Sequence, residues 1–148
     1  MCFYMPHRKE DAVGSVATKV LVVDDDPDLQ EILGICLRHW GFEVASAANG
    51  NDGARLAESY HPDIVLSDVM MPDISGIDLL KSLLSKEPGR PVILMTGYST
   101  SDMVAAAIKD GALDLLTKPL DYRKLKSILE TSQRDLKSPN QSRDFHSN

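Results

Sequence analysis

The sequence is poor in cysteine, paired histidines and glycine-rich loops. Among its 148 residues only Cys2 and Cys36 are cysteines, and their placement supports neither a disulfide framework nor a zinc ribbon. The four histidines are scattered, without the paired spacing of a zinc-binding H-E-x-x-H segment. Neither a G-x-G-x-x-G string nor a P-loop string is present. These absences argue against a thiolate or histidine metal centre and against a glycine-rich phosphate loop.

Long hydrophobic runs and an excess of positive charge are also missing. No stretch approaches the roughly 18 consecutive apolar residues of a transmembrane helix, and the first residues, MCFYMPHRKED, lack the apolar segment of a secretory signal. Lys and Arg total 16 against 22 Asp and Glu, a net charge of −6. This balance disfavours sequence-independent nucleic acid binding, because basic residues must neutralise phosphates. We therefore expect a cytoplasmic domain that binds neither membrane nor nucleic acid directly.

Five short apolar runs of strand length alternate with helical patterns between two polar ends. The runs span residues 19–23, 42–47, 63–67, 91–95 and 113–117, and the helical patterns span about 27–40, 51–60, 76–84, 101–109 and 121–133. The runs do not alternate between apolar and polar residues, which is typical of parallel strands covered on both faces. Repeated right-handed crossovers would give an α/β fold with helices on both faces of the sheet. We predict a folded domain over 18–134, a flexible N-terminal extension over 1–17 and a polar C-terminal tail or linker stub over 135–148.

Charged and hydroxyl side chains follow four of the predicted strands. They are Asp24 and Asp25 after the first strand, Asp68 after the third, Thr96 after the fourth and Lys118 after the fifth. Ligands bind outside the carboxyl ends of parallel strands, so we expect these groups to converge if the four strands are neighbours. Carboxylates about 5 Å apart repel by roughly 3 kcal/mol per pair at an effective dielectric near 20. A cation is therefore expected, and a set of carboxylate oxygens favours Mg²⁺ over zinc.

Asp68 is the candidate nucleophile of this site. It stands alone at its strand end, whereas Asp24 and Asp25 form an adjacent pair suited to holding a metal. A carboxylate can attack phosphorus while a cation, the Lys118 ammonium and the Thr96 hydroxyl balance the charge on the phosphoryl oxygens. The pattern predicts one phosphoryl-accepting site assembled from four segments.

Four strings of the sequence closely resemble the receiver domain of two-component response regulators, the CheY-like family. The strings are VLVVDDDP, DIVLSDVMMPDISGIDLL, VILMTGY and GALDLLTKPL, and they occur in the family's order and spacing across about residues 19–133. The resemblance implies a flavodoxin-like (βα)5 fold with a five-stranded parallel sheet in the order 2-1-3-4-5. It also implies a regulatory phosphoacceptor and not an enzyme.

The resemblance assigns the reacting residues and the partners. Asp68 would be the phosphoacceptor, Thr96 the switch hydroxyl and Lys118 the lysine that pairs with the phosphoryl group. The donor would be a phosphohistidine on a sensor histidine kinase or a histidine phosphotransfer protein. The family's response is a changed surface on the fourth helix, fifth strand and fifth helix, which would meet a downstream effector or form a phosphorylation-dependent homodimer. The peptide bond before Pro119 is often cis in the family.

The resemblance also implies a set of metal ligands. Mg²⁺ would be held directly by Asp25, Asp68 and the Met70 carbonyl, with Asp24 acting largely through water. Asp24 and Asp25 together form the acid pocket of the family.

The sequence departs from the family pattern at one position of the switch. An aromatic residue often lies three residues before the lysine, and here that position is Leu115. An aromatic switch at this position is therefore excluded, and coupling would run through Tyr98 or through backbone shifts. The bulky pair of Met70 and Tyr98 beside the phosphoryl group indicates slow loss of phosphate.

Two other functions remain as alternatives. Asp24 and Asp26 mimic the D-x-D motif of haloacid dehalogenase phosphohydrolases, although Asp68 would then have no role. The second alternative is an interaction module of the same fold that is never phosphorylated. For Asp26 we favour a helix N-cap, because it precedes Pro27 at a predicted helix start. Asp73 and Asp78 are expected to be solvated.

Overall fold

The computed structural model describes residues 17–137, which form five strands and five helices in strict alternation. The strands are β1 (Lys19–Val23), β2 (Glu43–Ala47), β3 (Ile64–Asp68), β4 (Val92–Thr96) and β5 (Asp114–Thr117). The helices are α1 (Pro27–His39), α2 (Gly50–Tyr60), α3 (Gly76–Lys86), α4 (Ser101–Lys109) and α5 (Tyr122–Lys137).

All five strands are parallel and lie in the order β2-β1-β3-β4-β5. This confirms the predicted fold class, including the order 2-1-3-4-5. The central strands β3 and β4 are buried along their whole length, as their unbroken apolar runs predict. Within residues 17–137, no helix is both long enough and apolar enough to cross a membrane.

Successive residues of β1 contribute to two separate hydrophobic cores, one on each face of the sheet. Val20 and Val22 pack with Leu33 of α1 and Leu125 of α5. Their neighbours in the strand, Leu21 and Val23, belong to a second cluster with residues of α2, α3 and α4. The alternation follows from strand geometry, in which consecutive side chains point to opposite faces. Helices therefore cover both faces, as predicted.

Local sequence signals set the start of α1. The Asp26 side chain accepts a hydrogen bond from the Asp28 amide at 3.0 Å, and Pro27 occupies the first turn, where a backbone N–H would have no partner in the helix. The helix ends at His39, and Gly41 follows with a φ of 97°, a conformation that favours glycine. The predicted cap and stop are both confirmed.

Several predicted boundaries differ from the structure by one to four residues. Strand β3 includes Asp68 and β4 includes Thr96, because the parallel ladder continues one residue further than the apolar runs. Helix α5 continues to Lys137, three residues past the predicted domain end at 134, because a polar segment can extend a helix already anchored by buried Leu125 and Leu129. Of the two predicted polar ends, residues 1–16 and 138–148 lie outside the described residues.

Candidate functional site

Four strands deliver polar side chains to one edge of the sheet. Asp24 directly follows β1, Asp68 ends β3, Thr96 ends β4 and Lys118 directly follows β5. Asp68 pairs in register with Met95, the residue before Thr96, so the ends of β3 and β4 are level. The parallel order of the strands therefore brings these residues to a common edge, as expected from the sequence.

Lys118 links the two buried carboxylates of this edge. Its Nζ lies 2.8 Å from Asp24 Oδ2 and 3.2 Å from Asp68 Oδ2. The Asp24 side chain is 0% exposed, the Asp68 side chain 9% and the Lys118 side chain 26%. The three charged groups come from positions up to 94 residues apart in the chain and form one partly enclosed cluster. The Lys118–Pro119 peptide bond is cis, as the resemblance implies.

The environment of this cluster raises the pKa of both Asp68 and Lys118, for different reasons. Burial and then repulsion by the Asp24 carboxylate raise the pKa of Asp68, although Lys118 and the Met70 amide oppose the shift. Burial alone would lower the pKa of Lys118, but its ion pairs with Asp24 and Asp68 outweigh burial and raise that pKa. Lys118 is therefore a cation at neutral pH, and Asp68 sits where a further positive charge would favour its ionised form.

Three carboxylates at this edge lie close enough to share one metal ion. An oxygen from each of Asp24, Asp25 and Asp68 lies within 4.8 Å of the others, with Asp25 exposed and the other two buried. The Met70 amide donates to Asp68 Oδ1 at 3.3 Å, so the backbone of Met70 also reaches the cluster. The carboxylates offer only oxygen donors, which fits a hard divalent cation such as Mg²⁺ and does not fit a thiolate-bound or imidazole-bound metal.

Gln30 supports the acid pocket, a role that was not predicted from the sequence. Its Nε2 donates to the Asp24 carbonyl at 2.6 Å and to the Ala47 carbonyl at 2.8 Å, which ties the ends of β1 and β2 together. Asp24 Oδ1 in turn accepts from the Asp26 amide at 2.8 Å. An isolated glutamine on an amphipathic helix carries no local signal of this contact, which depends on how α1 packs on the sheet.

Thr96 lies at the same edge, but its hydroxyl is engaged within its own loop. It donates to the Tyr98 carbonyl at 3.0 Å and accepts from the Tyr98 amide at 3.3 Å. The Thr96 carbonyl accepts from the Lys118 amide at 2.7 Å, which connects the ends of β4 and β5. The structure therefore brings Thr96 next to Lys118 through the backbone, while the hydroxyl is bonded to the Tyr98 backbone and not to the carboxylate cluster.

The rim of the site carries two exposed hydrophobic side chains. Met70 and Tyr98 are each 72% exposed, one in the loop after Asp68 and the other in the loop after Thr96. Leu115, which stands where the family often has an aromatic residue, is buried in the sheet. The two residues that the sequence singled out near the phosphoryl position thus border the site on the solvent side.

Asp73 is solvated, as expected from the sequence, and it also joins two segments of the chain. Asp73 is exposed, but its carboxylate accepts hydrogen bonds from the Gly50 amide at 2.9 Å and the Asn51 amide at 2.8 Å. These amides lie 23 and 22 residues away in the chain, at the start of α2. The sequence could not show this contact, because it depends on the loop after β3 meeting a helix that precedes it. Asp78 is exposed in the first turn of α3, where its amide donates to Ser75 Oγ. Its carboxylate forms no ion pair within residues 17–137, as expected of a solvated acid.

Comparisons with known proteins agree with this geometry. The family model for the response regulator receiver domain matches residues 20–130. The transcriptional regulatory protein ZraR of Klebsiella oxytoca is 44% identical over 110 residues, which are 74% of this chain and 25% of that protein, so the chain spans about a quarter of this relative's length. The crystal structure of a response regulator receiver domain protein from Clostridium thermocellum has a TM-score of 0.76 at 30% identity and covers 81% of this chain and 97% of its own. A chain of the CheX-CheY-BeF3-Mg²⁺ complex from Borrelia burgdorferi has a TM-score of 0.75 at 25% identity, covering 80% and 90%. The chain belongs to the receiver domain family of two-component response regulators.

Proposed function

We propose that Asp68 accepts a phosphoryl group from a phosphohistidine of a sensor histidine kinase or a histidine phosphotransfer protein. The observation that carries this proposal is the Lys118 ammonium held between Asp24 and Asp68 at the carboxyl edge of the sheet. This ammonium lies beside the carboxylate that would receive the phosphoryl group. It is therefore placed to pair with the phosphoryl oxygens once they are bonded to Asp68.

The chemistry requires one bond to form and one to break. An Asp68 carboxylate oxygen attacks phosphorus, and the P–N bond to the donor imidazole breaks, leaving its electron pair on the ring nitrogen, which is then protonated. Burial limits the hydration of the Asp68 carboxylate, and the Met70 amide orients Oδ1. The product is an acyl phosphate on the protein. The domain is thereby a stoichiometric acceptor in this proposal.

The proposed cofactor is Mg²⁺, held by Asp25, Asp68 and the Met70 carbonyl, with Asp24 acting largely through water. The ion would supply positive charge against the phosphoryl oxygens. The three carboxylate oxygens within 4.8 Å of one another support this assignment. The related Borrelia burgdorferi complex contains Mg²⁺ and BeF3, which supports the same choice of ion here.

The proposed output is a changed surface around α4, β5 and α5. Phosphorylation adds negative charge and acceptor oxygens next to Lys118. The Thr96 hydroxyl would leave the Tyr98 carbonyl and donate to a phosphoryl oxygen, which frees the loop between β4 and α4 to repack. A downstream effector or a second copy of the domain would recognise the altered surface. In this proposal the domain acts in the cytoplasm and binds neither nucleic acid nor membrane directly.

Phosphoryl uptake on the intact chain tests this function. With radiolabelled acetyl phosphate and Mg²⁺, we expect at most one equivalent of label on the wild type, released by acid or base as expected of an acyl phosphate, and none on Asp68→Asn. Asp102→Asn is the matched control, because Asp102 is an exposed aspartate in the first turn of α4, and it should be labelled like the wild type. EDTA should block labelling. Undiminished labelling of Asp68→Asn would contradict the proposal.

Two further measurements separate the alternatives, phosphatase turnover and partner binding. Multiple turnovers of a phosphatase substrate, abolished in Asp24→Asn, would favour the phosphohydrolase. In the structure the second acid of the D-x-D pair, Asp26, caps α1, which disfavours that alternative. Absence of label, with partner binding retained in Asp68→Asn, would favour a module that is never phosphorylated.

A further inference from the structure

The loop after Asp68, residues 69–75, is closed at its base by backbone contacts. The Gly76 amide donates to the Val69 carbonyl at 2.8 Å, and the Val69 amide donates to the Met95 carbonyl of β4 at 2.8 Å. A Cβ at Gly76 would overlap the Asp68 carbonyl oxygen, so glycine lets the end of the loop return against its beginning. The base of the loop is therefore fixed to the sheet.

The tip of the same loop is attached to the start of α2 by Asp73. Oδ1 accepts from the Gly50 amide at 2.9 Å and Oδ2 accepts from the Asn51 amide at 2.8 Å, while the Ile74 amide donates to Oδ1 at 2.7 Å. The first amides of a helix have no partner within the helix, and a carboxylate is favoured there. Hydrogen bonds from Asn51 and then Gly50 lower the pKa of Asp73, so the group is charged at neutral pH.

Packing reinforces this attachment. A Cβ added at Gly50 would overlap Ile74 Cγ1, so the helix can approach the loop this closely only with glycine at its first position. The helix also has its own N-cap, since Asn49 Oδ1 accepts from the Asp52 amide at 2.8 Å. Because Asn49 already caps α2, the helix does not depend on Asp73 alone for its cap. The Asp73 contact also holds the loop against the helix.

We propose that Asp73 is a positioning residue that raises the affinity of the acid pocket for Mg²⁺ by holding the loop that carries the Met70 carbonyl. This inference rests on the proposed function, in which that carbonyl is a ligand. Met70 lies between the anchored base and the anchored tip, and its amide reaches Asp68 Oδ1 at 3.3 Å. Without the Asp73 contact, the Met70 carbonyl would have to be ordered when the ion binds. The entropy lost in that ordering weakens ion binding. Groups that orient metal ligands typically contribute about 10- to 100-fold in affinity, and we expect about tenfold here.

Mg²⁺ titration by calorimetry on the full chain tests the inference with three variants. Asp73→Ala removes the attachment, and Asp73→Asn removes the charge but keeps one acceptor oxygen. Asn49→Ala removes the other cap of the same helix without touching the loop. We expect the Kd for Mg²⁺ to rise about tenfold in Asp73→Ala, to change less in Asp73→Asn and to stay near the wild-type value in Asn49→Ala. Hydrogen exchange of residues 69–75, measured without metal, should rise only in the Asp73 variants and most in Asp73→Ala.

The outcomes distinguish this inference from the proposed function. If the wild type binds Mg²⁺ and Asp73→Ala behaves like Asn49→Ala, the positioning role is wrong and the proposed function stands. If Asp73→Asn loses as much affinity as Asp73→Ala while the loop stays protected, the effect is one of charge and the positioning role is again wrong. A wild type that does not bind Mg²⁺ overturns both.

Discussion

Replacing Lys118 by methionine tests how the acid pocket is stabilised in the absence of a metal. The substitution keeps most of the apolar stem of the side chain and removes the ammonium that lies 2.8 Å from Asp24 Oδ2 and 3.2 Å from Asp68 Oδ2. Asp24 is fully buried, so water cannot replace the lost partner. We expect Lys118→Met to destabilise the domain strongly in EDTA.

The expected magnitude follows from the distances. At an effective dielectric near 20, the attraction is ~6 kcal/mol between Lys118 and Asp24 and ~5 kcal/mol between Lys118 and Asp68. The Asp24 and Asp68 carboxylate oxygens lie within 4.8 Å of each other, which corresponds to ~3.5 kcal/mol of repulsion. The cost of bringing the charges out of water offsets much of this attraction, and breaking a buried pair by removing one partner typically costs about 3–5 kcal/mol. Asp68 can relieve part of the repulsion by taking up a proton, so we expect a loss of about 3 kcal/mol.

Urea unfolding in EDTA across a range of pH measures this loss. Folding raises the pKa of Asp68, so its contribution to stability is full below the unfolded-state pKa and is lost as pH rises through the folded-state value. Lys118 opposes that shift, and its removal should raise the pKa of Asp68 further. The deficit of Lys118→Met should therefore be largest at neutral pH and shrink as pH falls. The double variant with Asp68→Asn should recover part of the lost stability.

Lys126→Met is the matched control. Its ammonium lies 3.9 Å from Glu130 Oε2 on the surface of α5, and both side chains are 46% exposed. Exposed pairs contribute about 0–1 kcal/mol, so the control should be nearly as stable as the wild type. If Lys118→Met costs no more than Lys126→Met, or if its deficit does not depend on pH, the electrostatic reasoning is refuted.

Three further predictions concern stability and titration. In EDTA at neutral pH, Asp68→Asn alone should raise the urea midpoint, because burial and the Asp24 charge raise the pKa of Asp68 and disfavour its ionised form; a lower midpoint would contradict this. Gly76→Ala should cost about 1–3 kcal/mol in urea unfolding because its Cβ would overlap the Asp68 carbonyl, whereas Gly89→Ala, with open space around it, should cost little; equal costs would refute the packing argument. Burial and the nearby Glu43 raise the pKa of Tyr60 to about 12. Absorbance titration should therefore show a phenolate transition at high pH that disappears in Tyr60→Phe. The free energy of unfolding should fall as pH rises from 10.0 towards about 12.

The fold was largely predictable because its central strands β1, β3 and β4 are buried on both faces. Unbroken apolar runs identify β3 and β4 as central strands, and the alternation with helices identifies a parallel sheet. The family resemblance supplied the strand order. Boundaries were less predictable, as in α5, which continues to Lys137 through a mainly polar segment whose one apolar residue, Leu136, is exposed.

The residues that reach the carboxyl edge of the sheet can be identified from the order of the strands along the chain, because Asp24, Asp68 and Lys118 directly end or follow strands and parallel strands end on one side. The groups that these side chains contact there depend on the folded chain. The Lys118 bridge, the turn of the Thr96 hydroxyl towards Tyr98 and the attachment of Asp73 to α2 depend on loop paths and side-chain orientations. The Lys118 and Asp73 contacts join segments that are distant in the chain, and the local periodicities that specify helices and strands carry no information about them.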